Sequence, residues 1–176
     1  TLSDTLSLHD ALPICLARLG RQRRTPSEGQ ANVSAHFPVV IHHNTDCGTS
    51  RNVLELIRAA GYEPTIVPYL ETGWTRPQLL ALFAAAGLTA REALRTTKSP
   101  AADLGLLDPA VDDEALLAAM VAHPVLVNRP IVATPRGVRL CRPSERTLDL
   151  LDKWPPGPFA KESGELIIDA SGQRVA

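Results

Sequence analysis

The chain has 176 residues, of which 44% are apolar, and this is enough for one domain with its own core. The formal net charge of -1 argues against a protein that binds nucleic acid through general electrostatics. No apolar run is long enough to span a bilayer, which argues against a membrane protein. The three cysteines, Cys15, Cys47 and Cys141, form neither a CxxC pair nor a metal-ligand cluster. We therefore expect no metal site, and a cytoplasmic protein in which one thiol can stay reduced and reactive.

Residues 1–37 differ in composition from the rest of the chain. Arginines lie there among Ser, Thr, Gln, Gly and Pro, and the second half has no sustained apolar period. The stretch at residues 7–14 resembles a peptide that arises when sequencing-adapter DNA is translated as protein. A targeting peptide is the alternative, although its apolar stretch is short, lacks a preceding basic segment and contains His9 and Asp10. We predict that residues 1–37 are a non-native or disordered extension and that residues 38–176 form the domain.

The domain opens with a predicted strand, helix and strand. Residues 39–42 are apolar and largely β-branched, which is typical of a buried strand. A polar loop follows at residues 44–48, and Thr49 or Ser50 can cap the amphipathic helix that comes next. The second strand is predicted at residues 64–69.

Helices dominate the middle of the chain, which forms a predicted helical insert at about residues 75–123. A β-hairpin is then predicted at residues 131–141, and a last helix opens at Pro143 or Ser144 and ends at Leu151. Strand–helix–strand followed by a hairpin and a helix is the thioredoxin arrangement. The predicted fold class is therefore α/β, a thioredoxin-like fold with an inserted helical subdomain.

Cys47 lies where the first predicted strand has ended and the first helix begins. The first backbone N–H groups of a helix lack internal partners and carry partial positive charge, so they can stabilise a thiolate and hold an oxyanion. His43 and Arg51, each four residues away, are the nearest candidate cations. A buried structural cysteine is the alternative, since free cysteine is among the most buried residue types. The polar loop and Gly48 favour the reactive thiol.

Three short motifs stand out around and after Cys47. They are HNTDCGTSRN at residues 43–52, NRPIV at residues 128–132 and RLCRP at residues 139–143. Together they resemble the signatures of glutaredoxin-coupled arsenate reductases of the ArsC type, in the same order along the chain. The resemblance extends from about Val39 to the C-terminus, and it identifies residues 38–176 as an arsenate reductase domain.

The resemblance implies an enzyme that reduces arsenate to arsenite through a covalent thiol–arsenate adduct. Glutathione, a co-substrate rather than a bound cofactor, and glutaredoxin would then resolve the adduct by thiolate exchange. Arsenate, glutathione and glutaredoxin are thus the expected partners. Arsenate is a tetrahedral anion, and guanidinium groups match its oxygens with permanent charge, so arginines suit such a site.

The resemblance also implies individual roles. Cys47 matches the nucleophile, and His43 matches a histidine that favours the thiolate. Pro130 matches the cis-proline that lies beside the active cysteine in thioredoxin-like folds, so we expect a cis Arg129–Pro130 bond. The expected substrate-binding residues are Arg95, Arg129, Arg142, Gly48, Thr49 and Ser50.

Other polar and sulfur-containing residues receive less specific expectations. Arg51, Arg136 and Arg139 are predicted to be solvated surface charges, and Cys141 to be a small packing residue. His42 should point away from His43, because side chains alternate along a strand.

The chain departs from the family pattern at two places, and two other protein classes fit the sequence less well than this family. Thr45 replaces a common proline, and Thr96 and Thr97 replace a pair of the Lys-Asn type. The Cys-x5-Arg loop of low-molecular-weight phosphatases is absent, because Val53 occupies the arginine position. Spx-type regulators, which share the fold, commonly carry a Cys-x-x-Cys switch, but here the second position is Ser50. A regulator of that type, or a reductase-like binding protein, is the alternative to the enzyme.

Overall fold

The structure, a computed structural model, describes residues 37–175 of the chain. The predicted extension therefore lies outside the described residues, as does Cys15, except that Phe37 is described and packs against the ring of Tyr62 at a centroid distance of 5.4 Å. No helix among the described residues is both long enough and apolar enough to cross a bilayer. The strands and α-helices are β1 (Val40–His43), α1 (Gly48–Ala59), β2 (Thr65–Pro68), α2 (Tyr69–Thr72), α3 (Arg76–Ala86), α4 (Ala90–Ala93), α5 (Asp113–Ala122), β3 (Ile131–Thr134), β4 (Gly137–Leu140), β5 (Phe159–Ala160) and β6 (Leu166–Ile168).

Four strands form a mixed sheet in the order β2-β1-β3-β4. β1 runs parallel to β2 and antiparallel to β3, and β3 runs antiparallel to β4. Helix α1 connects the two parallel strands, as a crossover between them requires. Helices α3 to α5 lie between β2 and β3 in the chain, so the fold is thioredoxin-like with an inserted helical subdomain, as the sequence predicted.

Apolar side chains cover both faces of the sheet. Ile131 and Val132 are adjacent in β3 but belong to different apolar clusters, because side chains alternate across a strand. Ile131 packs with the helical insert, where Leu116 is fully buried. Val132 packs with Ile41 of the central strand and with helix α1. Burial on both faces fixes the register of β1 and therefore the place where the loop before α1 begins.

Local capping signals set the ends of the inserted helices. Thr75 and Gln78 form a reciprocal capping box at the start of α3, and Gly87 ends that helix with a left-handed φ of 64°. Thr89 and Glu92 form a second capping box at α4. These caps satisfy backbone groups that the helices themselves leave free, which explains why the sequence located these helices.

Two predicted elements differ in the structure. Helix α1 begins at Gly48 with Cys47 at its N-cap, rather than after a Thr49 or Ser50 cap, because the Cys47 carbonyl already accepts the Arg51 N–H at 3.0 Å. The last helix, Ser144–Leu150, is a 3-10 helix rather than an α-helix.

The C-terminal segment, which is mostly polar with one apolar patch at residues 166–168, forms the hairpin β5–β6. Its residues Ile167 and Ile168 are fully buried against Leu56 of α1 and Leu148 of the 3-10 helix. This packing anchors the hairpin on helix α1, the same helix whose N-terminus carries Cys47. By packing against α1, the hairpin helps to fix the position of the candidate site at the start of that helix.

Candidate active site

Cys47 caps helix α1 through its backbone rather than its side chain. Its N–H donates to the Asn44 carbonyl at 3.1 Å, which closes the loop after β1, and Arg51 N–H binds the Cys47 carbonyl. The side chain makes no capping bond and lines the cleft beside the first turn. Cys47 is only 7% exposed. A thiolate here would lie next to unpaired helix N–H groups in a mostly dry environment.

The pKa of Cys47 lies below its ordinary value. Burial of the thiol raises the pKa, but the backbone N–H and hydroxyl of Ser50, as donors available to a thiolate, lower it. The charge of Arg129 and a hydrogen bond from Arg142 lower it further. The Ser50 hydroxyl is completely buried and has no hydrogen-bond partner at normal distance among residues 37–175, so the thiolate is the group to which it can donate. These donors favour the reactive, deprotonated form of Cys47.

Removal of the Ser50 hydroxyl is expected to raise the pKa of Cys47. In a Ser50→Ala variant, alkylation of Cys47 by iodoacetamide at pH 7 should slow about fivefold, because a buried hydrogen bond contributes about 1 kcal/mol. The measurement is the alkylation rate from pH 5 to pH 10, whose midpoint should move to higher pH in the variant. Thr147→Val is the matched control, since it removes a similarly buried hydroxyl beside Cys141. An unchanged midpoint in Ser50→Ala would show that the hydroxyl does not support the thiolate.

A cleft of about 400 Å³ opens beside the thiol. Its wall brings together residues that are more than 80 positions apart in the chain. Six of the predicted site residues line this cleft, namely Cys47, Gly48, Thr49, Arg95, Arg129 and Arg142.

Arg95 and Arg129 reach the cleft because two chain segments pair beside it. Arg95 N–H donates to the Leu126 carbonyl at 2.7 Å, and Asn128 N–H donates to the Ala93 carbonyl at 2.8 Å. Both arginines line the cleft, and the pKa of Arg95 is lowered by burial and then by the charge of Arg129. Like charges are held together here without a carboxylate partner, which is the arrangement expected of an anion site.

Arg129 is the most buried of the three arginines at 8% exposure. Its Nε is buried and has no hydrogen-bond partner among the described residues. A guanidinium group that is desolvated and incompletely paired is costly unless an anion completes its hydrogen bonds. The bond between Arg129 and Pro130 is cis, as predicted.

Arg142 lines the cleft next to the first turn of α1. Its Nη1 donates to Thr49 Oγ1 at 3.2 Å, which ties the arginine to the first turn of α1. The side chain is exposed, so Arg142 can move more freely than Arg129. The bond from Arg142 to Pro143 is also cis, which the sequence analysis did not anticipate.

His43 and Ser50 lie outside the cleft. His43 is buried, and its pKa is lowered by burial and then by the charges of Arg51 and Arg58, which favours the neutral imidazole. His42 is on the opposite face and packs on Trp74 at a centroid distance of 4.9 Å, as the strand alternation predicted. Ser50 is fully buried and does not line the cleft; it acts on the Cys47 thiol by lowering its pKa.

The structure also places unpredicted residues in the cleft. Each of them is a sequence neighbour of a predicted site residue, and this adjacency was the available signal. Asp46 precedes Cys47, Asn128 precedes Arg129, and three residues follow Arg95, namely Thr96, Thr97 and Lys98.

Arg51 is an exposed surface charge, as predicted, but it is also paired. Its Nε and Nη2 bind both carboxylate oxygens of Glu162 at 2.6 and 2.8 Å, and its Nη1 donates to the Thr45 carbonyl at 2.7 Å. Arg136 and Arg139 also form ion pairs, with Asp152 and Asp149, but they stay half exposed. The ion pair with Glu162 links the C-terminal hairpin to the loop before Cys47.

The second described cysteine has a different character. Cys141 is completely buried, and burial raises the pKa of its thiol to about 12, so it is inert at neutral pH and serves as the predicted packing residue. Within residues 37–175, no three His, Cys, Asp or Glu side chains come together in a way that could hold a metal ion.

Comparisons with known proteins agree on one relationship. The arsenate reductase ArsI2 of Synechocystis sp. is 70% identical over 137 residues, which cover 78% of this chain and 98% of that protein. The arsenate reductase of Escherichia coli strain K12 is 49% identical over 137 residues, covering 78% of this chain and 97% of that protein. The solved structure of an arsenate reductase from Vibrio cholerae superposes with a TM-score of 0.62 at 38% identity, over 65% of this chain and 98% of that one.

The family profile gives the same result and covers the site. The profile of the ArsC family matches residues 42–150, a span that includes Cys47 and all three arginines of the cleft. The match begins within β1 and ends at the 3-10 helix, so it spans the sheet and the helical insert. The chain therefore belongs to the ArsC family.

Proposed function

We propose that this protein reduces arsenate to arsenite, with Cys47 as the nucleophile. The observation that carries the proposal is the cleft, in which a buried thiol of lowered pKa faces three arginines that have no carboxylate partners among the described residues. The relatives named above are arsenate reductases, which supports the same substrate.

The charges of the site suit a small oxyanion. Arg95, Arg129 and Arg142 contribute three positive charges, and the Cys47 thiolate contributes one negative charge. The remaining charge matches that of dianionic arsenate. Arginine presents several N–H donors in a plane, so two or three guanidinium groups can bind a tetrahedral anion at several oxygens at once. Neutralisation also removes the repulsion that would keep an anionic nucleophile from an anionic substrate, in binding and in the transition state.

The first chemical step forms a sulfur–arsenic bond. The Cys47 thiolate attacks the arsenic atom, and the hydroxyl of dianionic arsenate leaves as water after taking up one proton from the solvent. Arsenic stays pentavalent in this adduct, and its remaining oxygens stay in contact with the arginines. Phosphate has nearly the same shape and charge, so the cleft should bind it too, and the reduction chemistry of arsenic would discriminate between the two.

The second step transfers two electrons to arsenic. A glutathione thiol attacks Cys47 Sγ, a sulfur–sulfur bond forms, and the electron pair of the sulfur–arsenic bond leaves with arsenic as arsenite. The glutathione proton goes to the arsenite oxygens. A glutaredoxin thiol then attacks the glutathione sulfur of the mixed disulfide and releases Cys47. This sequence of steps uses no bound cofactor, and its dependence on reducing thiols favours a cytoplasmic location.

Arsenite formation tests the proposal directly. The protein is incubated with arsenate, glutathione and glutaredoxin, and arsenite is quantified by chromatography coupled to elemental mass spectrometry. We expect turnover that falls to background when either thiol donor is omitted, because each resolves a different bond to Cys47. An excess of phosphate should inhibit competitively. Absence of turnover by the folded protein would exclude the reductase and favour a binding protein of the same fold.

A further inference from the structure

Two charged side chains in the cleft are not needed to balance arsenate. Lys98 and Asp46 both line the cleft and are exposed, and neither forms an ion pair with another of residues 37–175. The three arginines and the thiolate already match the charge of the oxyanion. The wall of the cleft therefore carries one additional positive and one additional negative charge, each available to a ligand.

Lys98 is held in an unusual backbone conformation. Its φ of 52° is left-handed, and among the described residues it is the only non-glycine with a positive φ. Such a conformation costs energy in a lysine, and strain of this kind is concentrated at functional sites. Arg95 maintains it from both sides, because Arg95 Nε donates to the Thr97 carbonyl at 2.9 Å and the Ser99 hydroxyl donates to the Arg95 carbonyl. These contacts fix the backbone of the loop that carries Lys98 at the wall of the cleft.

The backbone of Asp46 is also fixed by a hydrogen bond, on the side of the cleft that carries Cys47. Its N–H donates to Asn44 Oδ1 at 2.8 Å, which fixes the backbone of the turn immediately before Cys47. The carboxylate accepts no hydrogen bond from residues 37–175, and the nearby charge of Arg51 is already paired with Glu162. An unpaired carboxylate would weaken the binding of an anion, so its presence in this cleft needs a separate explanation.

The reactant that follows arsenate has complementary charges. Cys47 is nearly buried, so a thiol must reach its sulfur through the cleft. Glutathione carries two carboxylates and one ammonium group around its thiol. A flexible lysine suits a carboxylate, and a carboxylate suits an ammonium group.

We propose that Lys98 and Asp46 form a recognition pair for glutathione, in which Lys98 binds a carboxylate and Asp46 binds the α-ammonium group. The pair determines which thiol is accepted and does not hold the oxyanion. The inference rests on the proposed function for the identity of the thiol, but it can be tested without arsenate.

Thiol–disulfide exchange with oxidised glutathione provides that test. The Cys47 thiolate attacks one sulfur of oxidised glutathione, a mixed disulfide forms, and the second glutathione leaves as its thiolate. Mass spectrometry with peptide mapping follows the adduct on Cys47 separately from Cys15 and Cys141. The uncharged reagent 2-hydroxyethyl disulfide reports the intrinsic reactivity of Cys47, and the ratio of the two rate constants isolates recognition.

Lys98→Gln should lower this ratio about fivefold, as expected for a partly exposed ion pair, while Lys98→Arg should restore most of it. Lys153→Gln is the control, because it removes the same charge at a lysine that lies over the Tyr62 ring instead of in the cleft. An unchanged ratio in Lys98→Gln, or an equal loss in Lys153→Gln, would overturn the inference.

Asp46→Asn separates recognition from general attraction. Oxidised glutathione is an anion overall, so simple attraction predicts a higher ratio when a negative charge is removed. Binding of the ammonium group by Asp46 predicts a lower ratio, by about threefold. A higher ratio would therefore overturn the inference. If arsenite is formed but these ratios do not change, the proposed reductase activity is supported and the recognition pair is not. If the ratios change as expected but no arsenite is formed, the glutathione site is supported and the reductase activity is not.

Discussion

Replacement of Cys47 with serine is expected to lower arsenite formation by more than about a thousandfold, which is loss to background in practice. Serine is almost isosteric, but an alcohol is a far weaker acid than a thiol and is not ionised by the Ser50 and arginine contacts that lower the pKa of Cys47. It also cannot form the disulfide that releases arsenite. The measurement is the rate of arsenite formation with both thiol donors at saturating arsenate.

Two cysteine controls make this result specific. Cys141→Ala should keep turnover within about threefold, because its buried thiol of pKa about 12 has no part in exchange at neutral pH. Cys15→Ser should have no effect if the N-terminal extension carries no function. Circular dichroism and thermal unfolding should show that Cys47→Ser is folded. Arsenite formation by the folded Cys47→Ser variant at more than a tenth of the parent rate would assign the nucleophile to another group.

Arg129→Gln is expected to lower turnover by about 100-fold to 1,000-fold, the range typical of one lost donor to developing oxyanion charge. Arg129 is the most buried of the three arginines, so its charge acts on the substrate with the least screening by water. It also lowers the pKa of Cys47, and the variant should therefore show slower alkylation at pH 7. Turnover and the alkylation profile are measured on the same samples.

Three further variants test whether burial explains the size of the effect. Arg142→Gln should be less damaging than Arg129→Gln, because Arg142 is exposed and its charge is better screened. Arg129→Lys should recover the alkylation profile more fully than turnover, because lysine restores charge but not the planar arrangement of donors. Arg146→Gln, at an exposed arginine outside this cleft, is the control. Equal losses in the Arg129 and Arg146 variants would show that only net charge matters.

The C-terminal hairpin shows how contacts between distant segments escape a reading of the sequence. Glu162 lies 111 positions from Arg51, yet their side chains form a two-point ion pair beside the turn that precedes Cys47. No local pattern marks either residue as a partner of the other. The hairpin itself depends on two buried isoleucines, which find an apolar surface only after α1 and the 3-10 helix have packed.

The candidate site also combines residues that the sequence identified with roles that only the folded structure revealed. Cys47 at a helix start was apparent from local residues, and the three arginines were located by the resemblance to a family. The roles of Ser50 and His43 were not apparent, because each depends on burial. Ser50 is buried next to the thiol, and burial lowers the pKa of His43. Lys98 was likewise unremarkable until its backbone conformation and its place in the cleft were known.

The sequence by itself determined the features that depend on neighbours a few residues apart. These features are the strands, the capped helices α3 to α5, the junction at Cys47, and through them the thioredoxin-like fold with its insert. Only the tertiary structure decided which groups are desolvated, which charges stand together, and which of them have no partner. The physical reason is range. Capping and periodicity act within a turn of the chain, whereas burial and electrostatic interaction depend on segments that meet only in the folded protein.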